Sequence, residues 1–265
     1  AFVARCFIDD DITHVENRID PISDLEIIET ELMLADLESL ERRRPQLEKR
    51  AKSSGDKDAA LTLKLVDLAL AQLNAGKPAR TAEVGKEDRK AWDMLQLLTA
   101  LPALYVANVD EASADKGNEL SDRVAERAKA DGANTVVISA KIDSELAVLD
   151  EAEQAEFLES MGLEEPGLNR LIREAYALLG LQTYFTVGPK EARAWTIHVG
   201  DTAPQAAGVI HTDFEKGFIR AETIAYDDFV ALKGEAKARE AGKLRAEGKS
   251  YVVRDGDVMN FLFSG

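Results

Sequence analysis

Hydrophobic positions along this chain change their period twice, and each change marks a different kind of structure. Phe2-Val3-Ala4-Arg5-Cys6-Phe7 is a short, mostly apolar run that predicts a buried strand at the start. A strand of that kind normally lies inside a sheet, so neighbours are expected for it. After the acidic turn Asp9-Asp10-Asp11, Leu25, Ile28, Leu32, Leu37 and Leu40 recur at helical spacing. Pro21 and the Ser23/Glu26 pair, in capping-box spacing, mark the start of that helix. Pro45 is expected to kink or split it. Ser53-Ser54-Gly55-Asp56 reads as a turn, and Leu61, Leu65 and Leu68 set a second helix ending near Gly76-Lys77-Pro78. The two helices predict an antiparallel hairpin, closed by a third helix over roughly 86–99.

The pattern then turns to strand, helix, strand. Leu104-Tyr105-Val106-Ala107-Asn108-Val109 and Thr135-Val136-Val137-Ile138-Ser139 are buried-strand runs, and Leu120, Val124 and Ala128 share one helical face between them. Such a βαβ unit implies a parallel sheet with a right-handed crossover. Helical stretches follow from about Ser144 to Gly180, broken at Gly162 and Pro166-Gly167. From Gln182 the pattern shortens into strands at 184–187, 194–197, 251–253 and 258–263 around one or two short helices. Lys233, Lys237, Arg239, Lys243, Arg245 and Lys249 are placed along one helical stretch there, either lining an RNA-facing groove or balancing Glu235, Glu240 and Glu247.

Composition narrows the function classes. The 265 residues carry a net charge of −16, which opposes wholesale wrapping of nucleic acid while leaving room for a local basic face. From Gln182 onward 11 Lys and Arg meet 12 Asp and Glu, so the acidity lies in the first two-thirds and a boundary is expected near residue 181. The single cysteine, Cys6, allows no internal disulfide, and His14, His198 and His211 have no metal-ligand spacing. No apolar run nears the roughly 20 residues of a membrane span, and no signal peptide opens the sequence. A cytoplasmic protein without a membrane partner or a DNA-specific motif is expected.

Candidate chemistry sits after the two parallel strands, where α/β sheets bind ligands. Asn108-Val109-Asp110-Glu111 follows the first and Ser139-Ala140-Lys141 the second. The pair resembles the base-recognition motifs of P-loop GTPases, Asn-Lys-x-Asp and Ser-Ala-Lys, with Val109 in place of the Lys and Glu111 in place of the Asp. In those proteins the Asp accepts the N1–H and amino group of guanine. Adenine has an acceptor at N1 and no 2-amino group, so the departure is expected to relax or reverse guanine preference. Asn108 would brace the loop, Val109 would lie against the base, and the Ser139-Ala140 backbone would meet its edge. Replacing Glu111 by Asp and Val109 by Lys is expected to favour GTP.

Longer segments carry a stronger resemblance. They include Arg5-Cys6-Phe7, Asp9-Asp10-Asp11-Ile12-Thr13-His14-Val15, Glu29-Thr30-Glu31-Leu32-Met33-Leu34-Ala35-Asp36-Leu37 and Glu164-Glu165-Pro166-Gly167-Leu168-Asn169. Later in the chain come Thr183 to Gly188, Arg193 to Ile197, His211-Thr212-Asp213-Phe214-Glu215-Lys216-Gly217-Phe218-Ile219-Arg220 and Asp255 to Phe263. On these the chain resembles the YchF or Obg-like ATPase family over essentially its whole length. The resemblance implies an α/β fold: part of a Ras-like P-loop nucleotide domain (1–20 and 100–181), an inserted α-helical hairpin or coiled coil (21–99), and a C-terminal β-grasp TGS domain (182–265). It also implies ATP or GTP with Mg²⁺ as cofactors, hydrolysis to ADP and phosphate, and the ribosome as partner, with a monomer favoured.

One departure limits that reading. The sequence contains no Gly-x-x-x-x-Gly-Lys-Ser/Thr and no Asp-x-x-Gly segment of the family's type. On the resemblance, residue 1 falls where the nucleotide domain is already half built, so neighbours of the first strand are expected either later in this chain or in sequence upstream of it. Without a P-loop, phosphoryl transfer loses most of its electrostatic stabilisation, so this chain as it stands is expected to be inactive and no residue is assigned as catalytic or metal-binding.

Several residues have plainer readings. Cys6, Trp92 and Trp195 read as core, His14 as exposed, and Asp9-Asp10-Asp11 as an acidic turn ahead of a cation site. Arg42, Arg43, Arg44, Lys49 and Arg50 make a basic stretch near the hairpin tip, either a solvated face or a contact to ribosomal RNA phosphates. Three functions stay open: a YchF-like ATPase, a non-catalytic ribosome- or RNA-binding module made of hairpin and tail, and a scaffold whose hairpin is a coiled-coil arm.

Overall fold

The computed structural model describes residues 1–9, 19–53 and 56–264. Asp10, Asp11, His14 and the Ser54-Gly55 part of the first turn, all singled out above, lie outside these residues. The chain divides into two compact units, Ala1–Glu174 and Ala175–Gly265.

In the first unit β1 (Phe2–Arg5) is followed by α1 (Pro21–Ser53) and α2 (Lys57–Asn74). The helix α1 begins at Pro21, directly after Asp20, so Ser23 and Glu26 lie inside it and do not form the expected capping box. Pro45 does not break α1. A proline there removes one N–H···O bond, and the neighbouring arginines hold that stretch instead. Arg44 Nε donates to Asp67 of α2 at 2.7 Å, and both terminal nitrogens of Arg43 donate to the Leu95 carbonyl at 3.2–3.3 Å. Leu40, Leu65, Val66, Leu70 and Trp92 fill the core of the hairpin.

The expected third helix is instead a broken segment. It comprises a 3₁₀ turn at Lys86–Asp88, the short α3 (Arg89–Asp93) and another turn at Leu98–Ala100. Two features explain the break. Gln96 is left-handed, with φ 55°, which a helix cannot include. The buried Asp36 carboxylate of α1 accepts the Leu98 and Thr99 amides at 2.8 Å and the Thr99 hydroxyl at 2.7 Å, capping a new turn.

The chain then enters β2 (Leu104–Asn108), α4 (Glu119–Ala130) and β3 (Asn134–Ile138). Among the described residues the sheet order is β1-β2-β3, all parallel, with Arg5 opposite Asn108 and Asn108 opposite Ile138. The expected βαβ unit is therefore present. Ala4, Cys6, Leu25, Tyr105, Ala107, Val124 and Ala128 form its core. The helices α5 (Ala140–Leu146), α6 (Glu151–Ser160) and α7 (Gly167–Leu179) follow. Gly167 opens α7 against β3, where an added Cβ would lie 3.0 Å from the Ile138 Cβ.

In the second unit a mixed sheet of order β5-β4-β8-β6-β7 is built from β4 (Leu181–Val187), β5 (Ala192–His198), β6 (Phe218–Ile224), β7 (Arg245–Glu247) and β8 (Val258–Phe263). Between them run α8 (Ala203–Ile210), α9 (Thr212–Lys216), α10 (Tyr226–Ala231) and α11 (Glu235–Glu240). The alanine face of α8 packs on Tyr184, Ile197 and Met259. Residues 251–253 are not a strand but make one bridge, Thr202 to Val252. The basic residues expected on one helix are scattered. The helix α11 ends at Glu240, Gly242 is left-handed at φ 70°, and Arg245 opens β7. Arg239 pairs with Glu222 and Glu235, Lys243 with Asp228, and Arg245 with Glu247 and Asp257. These are charges balanced within the unit.

Where α1 leaves the sheet, Glu29 is only 7% exposed. It pairs with Arg80 and, at 2.8 Å, with Arg127 Nη2 of α4. A buried charge stripped of its partner is costly, so Glu29→Ala is expected to destabilise the protein by about 3 kcal/mol in urea unfolding, with Glu29→Gln costing less. Cys6 is fully buried, and burial pushes its thiol up to about 11. The native protein is expected to resist iodoacetamide at pH 8 and to react once unfolded, because the thiol stays protonated below that value.

Candidate functional site

The parallel strands end together, and side chains stitch their ends. The Cys6 amide donates to the Asn108 carbonyl at 2.7 Å and the Val109 amide to the Ile138 carbonyl at 2.9 Å, so the sheet pairing runs one residue past each strand. Asn108 then turns its side chain toward the next loop. Its Oδ1 accepts the Ala140 amide, at the start of α5, at 3.0 Å. Ser139 is the N-cap of α5 but makes no side-chain cap bond, so Asn108 supplies an acceptor that the cap residue does not.

Each remaining residue of the two segments has a definite place. Asp110 caps the 3₁₀ turn Glu111–Ser113 by accepting the Ser113 amide at 2.9 Å. Glu111 begins that turn and pairs with Lys141 across the gap between the loops. The Lys141 ammonium holds the Glu111 carboxyl below the usual carboxylate range. Val109 is 2% exposed and belongs to the core beneath the sheet end. An incoming ring could touch no more than its edge, and a Lys placed there would have to carry its charge out of the core. Ser139 is also buried, and its hydroxyl oxygen has no hydrogen-bond partner among the described residues. An orphan of this kind costs about 1–3 kcal/mol in a folded protein.

The structure thus brings Asn108, Glu111, Ser139 and Ala140 to one sheet edge and sets Val109 below them. Sequence reasoning missed two residues at this edge. Asn118 accepts the Leu120 and Ser121 amides at 3.0 Å, capping α4, while its Nδ2 donates to the Cys6 carbonyl at 2.7 Å. Its spacing from Ser121 was the available signal. Lys141 was visible in the Ser-Ala-Lys segment but was given no part.

The basic stretch lies elsewhere, on α1. Arg43 and Arg44 are spent on Leu95 and Asp67, and Arg50 donates to Asp56 at 2.8 Å. Arg42 and Lys49 are exposed, Arg42 within 4.0 Å of Glu38. Leu47, Leu61, Val66, Met94 and Leu95 line a groove of about 710 Å³ in the hairpin, with Arg43, Arg50 and Lys90 among its polar residues. No group of three or more His, Cys, Asp or Glu among the described residues is arranged to hold a metal ion.

Comparison with known proteins identifies the family. Residues 181–264 match the family YchF-GTPase_C, described as "Protein of unknown function (DUF933)". The chain is 52% identical over 262 residues to the ribosome-binding ATPase YchF of Escherichia coli O157:H7, covering 99% of this chain and 72% of that protein. It is 49% identical over 264 residues to the protein of the same name from Bacillus subtilis strain 168, with the same coverage. Its fold matches the structure of the Schizosaccharomyces pombe YchF GTPase with a TM-score of 0.82 and 33% identity, over 98% of this chain and 71% of that one. A GTP-binding protein from Pyrococcus horikoshii OT3, 19% identical with a TM-score of 0.57 over 92% of this chain and 72% of that one, shares the fold. With half its residues identical to those relatives over nearly its full length, and with the α/β fold of the yeast structure, this chain belongs to the YchF family.

Proposed function

We propose that this chain is the base-recognising and ribosome-docking part of a YchF-type ATPase that takes ATP ahead of GTP and works in the cytoplasm. On this reading residues 1–20 and 100–181 carry the base site, 21–99 the helical arm and 182–265 a TGS tail. The observation that carries it is the Asn108 bond to the Ala140 amide, which holds the two loops at the sheet edge as a unit. Glu111 stands beside them as the group that reads the base. The longer Glu side chain carries its carboxylate away from the place an Asp would give it, so the Asn-x-x-Glu turn does not impose guanine's N1–H and 2-amino group. On this reading the protein acts as a monomer.

The 265 residues contain no Gly-x-x-x-x-Gly-Lys-Ser/Thr, so the phosphates and Mg²⁺ of a bound nucleotide are given no holder by this sequence and hydrolysis is assigned no group in it. What the residues here can do is orient the base and choose it. That same observation favours a second reading, in which hairpin and tail dock on the ribosome or its RNA without catalysis.

Titration with fluorescent ATP and GTP analogues tests the first reading. Asn108→Ala is expected to weaken both about tenfold, the loss of one well-placed bond and of the loop order it maintains. Glu111→Asp is expected to move the ratio toward GTP; an unchanged ratio would sink the role of Glu111. Ribosome docking is tested by co-sedimentation at rising salt. Arg42→Ala with Lys49→Ala, which spares the structural Arg43 and Arg44, is expected to weaken association and flatten its salt dependence. Unchanged sedimentation would rule out the helical arm as the basic contact.

A further inference from the structure

Lys141 has no task in the function proposed above, yet it sits at the centre of the site's charges. It lies in the first turn of α5 and its ammonium is bound to the Glu111 carboxylate, which begins the turn after β2. Glu145, one turn further along α5, and Asp9, after β1, also favour its charged form. Glu111 holds the cation directly, and the other two acids add to the field that keeps it charged. The Lys141 side chain is 65% exposed and that of Glu111 36%, so the pair is at the surface of the sheet edge, where a planar ring would arrive. The geometry is selective because it leaves the carboxylate already engaged.

Resting on the reading that these loops hold a purine base, we propose that Lys141 is a positioning residue that sets the nucleotide preference by occupying Glu111. Guanine offers N1–H and a 2-amino group, and to use them it needs a free carboxylate. Here it must first pull Glu111 from an ammonium, and the ammonium then loses its nearest partner. Adenine makes no such demand. Its N1 is an acceptor and the Lys141 ammonium is a donor, so adenine can be accommodated with the ion pair intact. The longer Glu side chain, in place of the usual Asp, is what lets the carboxylate reach across to the second loop. Specificity then arises from a penalty placed on the wrong base, in addition to any contact made to the right one.

The test is a titration of the full chain and its variants with ATP, GTP and ITP in Mg²⁺ buffer. Lys141→Met frees Glu111 and is expected to raise GTP affinity relative to ATP about tenfold, the effect of a hydrogen bond to a charged group. ITP, whose base lacks the 2-amino group, is expected to gain less. Lys141→Arg is expected to keep the original ratio, and in Glu111→Gln/Lys141→Met the gain is expected to vanish. An ATP:GTP ratio unaltered by Lys141→Met overturns the proposal, as does a shift that persists in the double variant. If the unaltered protein binds neither ATP nor GTP saturably, the nucleotide reading itself fails and this inference falls with it.

Discussion

The buried carboxylate of Glu29 is the constraint on which the first unit depends. Inserting a long helical hairpin between β1 and β2 requires that its root be held, or the two strands could not keep a common register. Glu29 lies at that root and meets Arg80 from the returning segment and Arg127 from α4. Arg127 in turn donates to Asp131 at 2.9 Å, and Asp131 accepts the Tyr105 hydroxyl at 2.6 Å. Burial and the Asp131 carboxylate push the Tyr105 phenol up, so it remains a donor at any physiological pH. A continuous polar chain therefore runs from the hairpin root to β2, three residues before Asn108. In a low-dielectric setting such a network is worth keeping only if every member is satisfied, which ties the placement of the loop after β2 to the packing of the hairpin.

The ends of the strands follow the same rule at smaller scale. Backbone groups that leave a sheet or open a helix need partners, and here they come from side chains far away in sequence. Asn108 serves the amide of Ala140, Asn118 serves the carbonyl of Cys6, and Asp36 serves the amides of Leu98 and Thr99. Among the described residues the Ser139 hydroxyl, in the second of the segments that resemble base-recognition motifs, is one of several buried polar groups left without a partner, with Thr135 and Arg170 in the same unit. Strained or unsatisfied groups concentrate where a protein meets its ligand, and this one lies at the sheet edge already singled out by its motifs.

How much of this could be read beforehand depended on the range of the interaction that decides each element. The parallel strands, α4 and the hairpin were legible because their period is local. Tyr105 and Val106 need only their neighbours to predict a strand, and Leu61, Leu65 and Leu68 a helix. The 86–99 segment was misread because its breaks come from a left-handed Gln96 and from Asp36, some sixty residues earlier. The strand β6 was missed because an irregularity between Phe218 and Arg220 breaks its two-residue period and its buried positions include the small Ala221 and polar Thr223, and β7 because it is three residues long. At the site, Asn108 and Glu111 were legible from residue type and spacing. The Glu111–Lys141 pair was not, since it joins two loops that only the sheet brings together, and the inward turn of Val109 depends on the same pairing.

Charge had to be read through the structure before it could be assigned to function. The stretch from Arg42 to Arg50 looks like a basic patch, but three of its five cations are held by Leu95, Asp67 and Asp56. Arg44 and Arg50 are matched by carboxylates, while Arg43 is tied to a carbonyl. Against a net charge of −16, the other two cations, Arg42 and Lys49, add little attraction for a phosphate beyond about 10 Å at moderate salt. Any contact that Arg42 and Lys49 make to a phosphate would then be short-ranged. The same reasoning applies at the ends of the parallel strands, where Lys141 is not an open anion-binding group but one already committed to Glu111. In both regions, what matters is which charges folding has left available.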